Sequence, residues 1–259
     1  MKAAIIGAGF VGHAHIEALR RLGVEVAGML GSSPERTRQQ SRALGIPRAY
    51  SSLDELARDA SVEAVHICTP NNLHFAESEA ALKAGKHVLC EKPLAMNSRE
   101  TARLVELAHR ENRAAAVAHN LRYYPLCQEA RALVQRGAIG EPRMVHGSYL
   151  QDWLLYPSDW DWRLDPALGG SMRTVADIGT HWLDLMIWIT GRRVIELCSD
   201  LATIVPLRER PRGAVETFQE RKGADFKRVK IDTEDYASVL LHFEGGLRGA
   251  MTVSQVSAG

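Results

Sequence analysis

The sequence lacks the features that are typical of membrane, secreted and nucleic-acid-binding proteins. No apolar run reaches the roughly 20 residues of a membrane span, and glycines interrupt the N-terminal segment MKAAIIGAGFVG, so we expect no signal peptide. A formal net charge of +1 gives no electrostatic reason to expect a nucleic acid or a membrane surface as a partner. The cysteines are few and form no CxxC pair, which argues against disulfides or a zinc site and predicts a reducing, cytoplasmic location.

The first half of the sequence alternates between short apolar runs and amphipathic segments. Strands are predicted at KAAII, VEVAGML, VEAVHICTP, KHVLC and AAAVAHN, and helices at HIEALRRLG, PERTRQQSRALG, LHFAESEAALKAG and SRETARLVELAHRENR. Strands that alternate with helices of this length indicate βαβ units and a parallel sheet. We therefore predict an α/β protein that begins with a doubly wound Rossmann domain over residues 1–120.

The second half of the sequence has a different pattern. Helices are predicted over residues 125–136 and 171–191, a long strand over 142–151, and a hairpin joined by EGG over 233–256. This order predicts an α+β domain with an open, mostly antiparallel sheet over residues 121–259. We interpret the charged segment 207–230 as a solvated loop, with an arm toward a neighbouring subunit as the alternative.

The segment GAGFVG follows the first predicted strand and opens the first predicted helix. In this context one glycine makes the turn, one lets the backbone approach a pyrophosphate and one allows close helix packing, while the helix N-terminus offers N–H groups. The dinucleotide-binding residues predicted in this turn are Gly7, Gly9, Phe10, Val11 and Gly12. The alternative is a glycine-rich turn that binds no ligand.

The residue that closes the second strand discriminates between the two dinucleotides, because an acid there binds the ribose 2′-hydroxyl and repels a 2′-phosphate. In this sequence that position falls at Gly31, and Ser32, Ser33 and Arg36 follow it. With no acid and an arginine close by, we predict an NAD(P) site that prefers NADP. Tolerance of both nucleotides is the alternative.

Three further segments, TPNNLH, CEKP and DIGTH, complete a pattern that resembles the glucose-fructose oxidoreductase, inositol dehydrogenase and MocA family of NAD(P)-dependent oxidoreductases. The resemblance covers essentially the whole chain. It implies a Rossmann domain and a C-terminal domain whose open sheet forms one wall of the active site. It also implies a homodimer or homotetramer that pairs through the outer face of that sheet.

The resemblance also implies roles for individual residues. Lys92 and His181 would face the substrate, with Asp177 beside them. The cofactor contacts expected after the glycine turn and Gly31 are Thr69, Pro70, Asn71, His74, Glu91, Lys92 and Asn120. Arg122 and Tyr123 match a family segment near the cofactor and substrate, and we expect them to bind substrate.

Lys92 stands just after a predicted parallel strand, and side chains at that edge of an α/β sheet point into the ligand-binding crevice. There its ammonium group would hydrogen-bond the reacting hydroxyl and stabilise the developing charge on the oxygen, with Glu91 orienting it. The alternative is an exposed ion pair that ends the strand.

Asp177 and His181 are four residues apart, so they share one face if this segment is helical. Histidine titrates in the range that suits removal of a hydroxyl proton, which makes His181 the predicted base, and Asp177 would hold its ring or bind a neighbouring hydroxyl. Zinc binding with Asp184 is the rival interpretation, but no motif supports a third ligand and we predict no metal. Asp177 could cap the helix at the same time.

The loop before this helix is rich in tryptophan, with Trp153, Trp160 and Trp162. Sugars pack their C–H faces on aromatic rings, while arginine and carboxylates bind their hydroxyls, so Trp162, Arg163 and Asp165 are predicted to bind a sugar-like substrate. The alternative is that the rings only pack the junction between the domains.

These assignments predict an oxidoreductase that transfers hydride between a nicotinamide and a secondary hydroxyl or keto carbon of a sugar, cyclitol or sugar derivative. A non-catalytic dinucleotide-binding regulator and a reductase of imines or dihydrodiols are the alternatives. Family members usually continue well past the hairpin, so we expect this chain to be part of a longer protein. Ending at SQVSAG would leave an exposed edge on the second sheet.

Overall fold

The structure, a computed structural model, describes residues 1–212 and 225–258. The chain divides into two compact units between Ala118 and His119. The boundary predicted from the sequence was two residues later, after Asn120. Among the described residues, no helix combines the length and the apolar character that crossing a bilayer would need.

Strands and helices alternate throughout the first domain. Its elements are β1 (Lys2–Ile6), α1 (Phe10–Arg21), β2 (Glu25–Leu30), α2 (Pro34–Ala43), β3 (Arg48–Ala49), α3 (Leu53–Arg58), β4 (Ala64–Ile67), α4 (Asn71–Lys83), β5 (His87–Cys90), α5 (Ser98–Arg110) and β6 (Ala115–Val117). The strands pair in parallel in the order β3-β2-β1-β4-β5-β6. This order is that of doubly wound dinucleotide-binding sheets, which confirms the predicted Rossmann domain.

Apolar cores cover both faces of this sheet, which explains why its strands read as continuous apolar runs. In β1, Ala3 and Ile5 belong to one core, and Ala4 and Ile6 belong to the other. The direction in which successive strands are added reverses between β1 and β4. Ligands of such sheets bind at this reversal, beyond the carboxyl ends of the strands.

The second domain contains helices and a mixed sheet. Its elements are α6 (Pro125–Gln135), β7 (Met144–Leu150), α7 (Pro166–Gly169), α8 (Thr180–Thr190), β8 (Val194–Ala202), β9 (Leu207–Pro211), β10 (Phe226–Lys230), β11 (Tyr236–Phe243) and β12 (Arg248–Ser254). Four strands form a sheet in the order β7-β12-β11-β8, in which β7 and β12 pair in parallel and the other neighbouring strands pair antiparallel. The predicted α+β domain and its EGG hairpin are therefore confirmed.

The inner face of this sheet packs against α8. Trp182 on α8 is buried, and its indole crosses β7 at Gly147, where an added Cβ would lie 2.8 Å from the indole nitrogen. Val239, Leu241 and Met251 of the hairpin complete the core beneath the helix. Because the helix covers only one face of the sheet, buried and more exposed residues alternate along the strands of the hairpin.

The helix predicted over residues 171–191 begins later in the structure, and its first turn is wider than an α-helical turn. Val175–Gly179 forms a π-helical turn that leads directly into α8. Such turns are rare and occur frequently at functional sites. Asp177 lies within this turn, and His181 lies in the first turn of α8.

The prediction of a solvated loop over residues 207–230 is wrong for the parts that the structure describes. β9 and β10 pair as an antiparallel ribbon, and Arg208 within it is fully buried. Its guanidinium donates to Asp235 at 3.0 Å and to the carbonyl of Tyr156 at 2.9 Å. A buried carboxylate far along the chain is what allows an arginine to be buried here. Residues 213–224, which belong to the same predicted loop, lie outside the described residues.

Candidate active site

The glycine loop after β1 is shaped by backbone contacts that side chains would break. A Cβ at Gly7 would lie 2.5 Å from the carbonyl oxygen of Cys68, and Gly7 has a φ of +89° in the left-handed region. A Cβ at Gly12 would lie 2.1 Å from the carbonyl oxygen of Gly7, so α1 packs directly on the loop. No described residue lies within 4 Å of the Cβ position at Gly9, which leaves the helix N-terminus accessible.

The first turn of α1 suits an anion. It carries no acidic side chain, and its N-cap residue is a glycine that has no side chain to accept hydrogen bonds from the first amides. Phe10 is exposed and Val11 is half-buried at this end. The loop and the helix therefore form a cradle of the kind that holds a pyrophosphate.

Gly31 directly follows β2, where two side chains of α2 surround it. Its amide nitrogen donates to Oγ1 of Thr37 at 2.9 Å. A Cβ at Gly31 would lie 3.1 Å from that oxygen and 3.4 Å from Oε1 of Gln40. A larger residue at this position would therefore have to displace these side chains.

The N-terminus of α2 contains the other residues predicted to discriminate between nucleotides. The Ser33 hydroxyl caps the helix by accepting from the amide of Arg36 at 3.3 Å. Ser32 and Arg36 are exposed at the same end. The structure thus places all three beside Gly31, with the Ser33 hydroxyl engaged in the cap.

The TPN segment after β4 is anchored by a buried carboxyl group. The Thr69 hydroxyl donates to Oε2 of Glu77 at 2.5 Å, and Glu77 is only 9% exposed. Burial raises the pKa of this carboxyl to about 7, against the opposing effect of the Thr69 hydrogen bond. Asn71 begins α4 and is buried, and Pro70 occupies the N-cap position of that helix.

His74 joins the TPN segment to the EKP segment. Its ring nitrogens contact the carbonyl oxygens of Pro93 at 2.6 Å and Thr69 at 2.8 Å. Burial lowers the pKa of the ring, although both carbonyls act in the opposite direction. A neutral imidazole has one N–H, so the two carbonyls compete for it. His74 is fully buried and positions both loops.

Glu91 at the end of β5 has a partner that the sequence did not suggest. Its Oε1 lies 3.1 Å from Nε2 of His15 on α1, and Nδ1 of His15 lies 3.0 Å from Nδ1 of His66 in β4. Its Oε2 accepts from the backbone amide of Lys92 at 3.2 Å, and the Lys92–Pro93 peptide is cis. Lys92 thus directly follows a carboxylate that is hydrogen-bonded to α1 of the same domain.

In the second domain, Asp177 is held from two sides. Its Oδ1 accepts from Nε of Arg163 at 3.1 Å, and its Oδ2 accepts from Nε2 of Gln255 at 2.7 Å. Arg163 also donates to Asp161 at 3.1 Å. Burial disfavours the guanidinium charge, but Asp177 and Asp161 outweigh it and raise the pKa of Arg163. Both donors favour the ionised carboxylate of Asp177.

His181 lies among aromatic rings of its own domain. The ring of His119 meets it edge-on at 5.5 Å between centroids, and the ring of Tyr149 lies 6.4 Å away. The aromatic surroundings hold the imidazole at the start of α8, one turn after Asp177.

The predicted substrate residues separate into two groups. Trp162 lies with the Asp177 cluster, since the Arg163 guanidinium stacks 4.5 Å from its ring. Asp165 instead caps α7 by accepting from the Ala167 amide at 3.1 Å, and it pairs with Arg210 at 3.6 Å.

The segment after His119 is occupied by a different ion pair. Arg122 makes two hydrogen bonds to Asp184, one of them at 2.6 Å, and its guanidinium lies 4.9 Å from the ring of Trp188. Asn120 and Tyr123 are exposed in the same short 3₁₀ turn. Asp184, the third ligand of the rival zinc interpretation, is therefore the partner of an arginine.

Sequence reasoning missed His15, His66, Glu77 and Gln255. Two of these residues had a local signal in the sequence. His66 is a polar residue within an otherwise apolar strand, and His15 is a polar residue on the helix that follows the glycine loop. Gln255 contacts Asp177 across 78 positions of sequence, and no local pattern indicates that contact.

Comparison with known proteins matches both domains. Residues 1–119 match the family model described as "Oxidoreductase family, NAD-binding Rossmann fold", and residues 127–259 match the GFO/IDH/MocA C-terminal domain. A levoglucosan dehydrogenase from Pseudarthrobacter phenanthrenivorans is 29% identical over 98% of this chain and 67% of its own length. A 1,5-anhydro-D-fructose reductase from Ensifer adhaerens is 35% identical over 67% of this chain and 51% of its own length.

A solved structure shows the same architecture. Levoglucosan dehydrogenase in complex with NADH and L-sorbose matches with a TM-score of 0.89 and 28% identity, covering 100% of this chain and 68% of that one. The present chain therefore spans between half and about two thirds of the length of these proteins.

Proposed function

This chain belongs to the glucose-fructose oxidoreductase, inositol dehydrogenase and MocA family of oxidoreductases, as its motifs predicted, and we propose that it carries the catalytic residues of an NAD(P)-dependent dehydrogenase. The substrate is a secondary alcohol of a sugar, cyclitol or sugar derivative, or the matching ketone. The observation that carries this proposal is the Asp177 carboxylate, held by Arg163 and Gln255 in a π-helical turn that presents His181 one turn later.

The glycine cradle fits a dinucleotide. Gly7 and Gly12 bring the backbone and α1 close together, and Gly9 leaves the helix N-terminus accessible, so a pyrophosphate can accept hydrogen bonds from first-turn amides. Thr69, Asn71 and the residues after β5 would hold the remainder of the cofactor. A bound oxidised nicotinamide supplies the acceptor for the hydride that leaves the carbinol carbon.

Side chains of this protein transfer the hydroxyl proton and stabilise the charge that develops on the substrate oxygen. His181 takes the hydroxyl proton as the carbonyl forms, and it returns the proton in the direction of reduction. Lys92 donates to the same oxygen and stabilises its negative charge. Arg163 and Gln255 orient the Asp177 carboxylate, which would accept a hydrogen bond from a substrate hydroxyl or from the His181 ring.

The nucleotide preference follows from the end of β2. No acid is present at Gly31 to repel a 2′-phosphate, and the exposed Ser32 and Arg36 offer donors beside it. Because Thr37 and Gln40 surround the Cβ position of Gly31, the chain has no space prepared for a longer acidic side chain there. We therefore assign NADP as the preferred cofactor.

The sugar class follows from the Trp162 and Arg163 stack beside Asp177, which combines an aromatic face with a cation and a carboxylate.

The exposed residues Met144 and Leu240 lie on the outer face of the sheet and support a homodimer or homotetramer formed there. Light scattering of wild type and Leu240→Lys tests that assembly, and an unchanged mass would contradict it. The four free cysteines support a cytoplasmic location, which cell fractionation tests.

The test of the function is a screen of purified protein with NAD and NADP against sugars, cyclitols, a trans-dihydrodiol and a cyclic imine, followed by absorbance of the reduced nicotinamide. Turnover of a sugar or cyclitol with NADP supports the proposal. Turnover of only the dihydrodiol or imine would contradict the substrate class. Tight binding of NADPH with no turnover of any compound would favour the regulator.

A further inference from the structure

The residues before β11 and after β12 meet at the open end of the hairpin, and the roles given above leave Glu234 among them without an assignment. Tyr236 pairs with Ser254 at this end, and the amide of Gln255 donates to the carbonyl of Asp235 at 3.1 Å. Glu234 is 6% exposed, and Asp235 and Gln255 are fully buried. A buried carboxylate needs partners, because removing a charge from water costs free energy unless the charge is well paired.

Glu234 is hydrogen-bonded to the backbone at the start of the π-helical turn. Its Oε1 accepts from the amides of Arg173 and Val175, both at 2.9 Å, and its Oε2 lies 3.0 Å from the Arg173 amide nitrogen. The first amides of a helical segment have no partner within that segment. Thr174, the N-cap residue, does not cap the turn with its side chain, and its hydroxyl donates to the carbonyl of Glu234 at 2.8 Å. Glu234 therefore provides the cap from 59 positions away.

The turn that begins at this cap contains groups of the proposed reaction. The amide of Asp177 donates to the carbonyl of Arg173 at 2.7 Å, so the residue whose amide Glu234 binds also accepts a backbone hydrogen bond of the turn. Asp177 lies within the turn, and His181 lies in the first turn of α8, which follows directly. A shift of the backbone at Arg173 and Val175 would therefore move both groups.

The side chain of Arg173 contacts the Asp177 carboxylate indirectly. Its fully buried guanidinium pairs with Asp235 and donates to Oε1 of Gln255 at 3.3 Å. A guanidinium can only donate, so Gln255 turns its carbonyl oxygen toward Arg173 and its N–H group toward Asp177, at 2.7 Å. Glu234 and Asp235 thus bind the backbone and the side chain of one arginine, and both sets of contacts lead to Asp177.

We propose that Glu234 is a positioning residue for the reaction: its carboxylate fixes the start of the π-helical turn and so sets the places of Asp177 and His181. This inference rests on the proposed function, because it assigns His181 the role of base. Glu234 acts through the backbone of the turn. A structural role alone would change only the stability of the domain, whereas a positioning role also predicts a loss of turnover in molecules that remain folded.

The kinetic test compares variants of Glu234 by their turnover per folded molecule. Glu234→Ala removes the acceptor of both amides and should lower kcat about tenfold or more, because a displacement of about 1 Å in an active site can cost about 10²-fold. Glu234→Gln keeps the oxygen that both amides share and should recover most of the loss. Glu234→Asp is one methylene shorter and should be impaired like Glu234→Ala, and it replaces the alanine variant if that variant does not fold. The affinity for NADPH should remain nearly intact, because the glycine loop belongs to the other domain.

The matched control is Leu247→Ala, at the opposite end of the same hairpin. Leu247 is 1% exposed and belongs to the core of the second domain. Its truncation should lower the stability of that domain in urea and leave kcat per folded molecule unchanged. A loss of kcat in Leu247→Ala as large as the loss in Glu234→Ala would assign both effects to general destabilisation and overturn the inference.

A second measurement needs no turnover. Amide hydrogen exchange, followed by NMR in the full chain, should become faster at Arg173 and Val175 in Glu234→Ala, by about tenfold or more beyond any change at the amides of β8. The side-chain amide signal of Gln255 should also shift. Unchanged exchange at Arg173 and Val175, or an unchanged kcat in Glu234→Ala and Glu234→Asp, would overturn the inference. If no compound turns over even with wild type, the proposed function fails, and the exchange rates alone decide whether Glu234 fixes the turn.

Discussion

Glu77 should make the first domain less stable as the pH rises from about 4.5 to about 7. Its carboxyl group is 9% exposed and accepts a hydrogen bond from the Thr69 hydroxyl. Burial raises its pKa from the ordinary 4.5 to about 7. Replacement by glutamine keeps an acceptor for Thr69 and removes the charge, so Glu77→Gln should stabilise the domain above neutral pH.

The magnitude follows from proton linkage. Between pH 4.5 and 7 the folded state keeps a proton that the unfolded state releases, so the free energy of unfolding falls as the pH rises through this window. A carboxyl with this raised pKa costs the folded state about 3 kcal/mol at pH 8 and nothing at pH 4. The advantage of Glu77→Gln should grow from near zero to at most about 3 kcal/mol over the same window.

Hydrogen exchange of peptides from α4 and β4 measures the stability of the first domain directly. Tryptophan fluorescence cannot replace this assay, because all five tryptophans lie in the second domain and report on the unfolding of that domain. The matched control is Glu79→Gln on the same helix. Glu79 pairs with Lys83 and Arg103, and its pKa is lowered, so its small contribution has the opposite sign and is lost as the pH falls. A Glu77→Gln advantage that does not depend on pH, or a loss of stability at pH 8, would refute the reasoning.

Four further predictions follow from the same contacts. His181→Ala should lower turnover by about 10² or more with cofactor affinity nearly intact, measured by steady-state kinetics and NADPH titration; unchanged turnover would remove His181 from the chemistry. Gly12→Ala places a Cβ 2.1 Å from the carbonyl oxygen of Gly7 and should weaken NADPH binding about tenfold or more, whereas unchanged affinity would separate the loop from the cofactor. Arg36→Ala removes an exposed cation close to Gly31 and should move the ratio of NADPH to NADH affinity about tenfold toward NADH, and a ratio that stays constant would place the 2′-phosphate elsewhere. Asp235→Ala leaves two fully buried arginines without their shared carboxylate and should destabilise the second domain by about 3–5 kcal/mol in urea unfolding followed by tryptophan fluorescence.

The features that the sequence predicts depend on residues that lie close together along the chain. GAGFVG, the end of β2 and the EKP segment each combine a strand, a turn and a chemical group within about ten positions, and the parallel sheet follows from repeated strand and helix lengths. The spacing of Asp177 and His181 placed them on successive turns because a helix repeats every 3.6 residues.

The features that sequence reasoning missed depend on long-range contacts. Arg163 and Gln255 approach Asp177 from 14 and 78 positions away. The parallel pairing of β7 with β12 joins strands about a hundred residues apart. The burial of Arg208 depends on Asp235, whereas charge patterning describes only the local segment and therefore predicts a loop in place of the ribbon.

The central claim is that this chain catalyses hydride transfer, and the most direct test follows the hydride itself. The protein is incubated with NADPH that carries deuterium at both C4 positions and with keto forms of sugars and cyclitols, and the masses of the products are measured by mass spectrometry. We expect one deuterium on the new carbinol carbon, and we expect the rate of its incorporation to fall by a factor of about 10² or more in His181→Ala. Saturable NADPH binding with no deuterium in any product would contradict it.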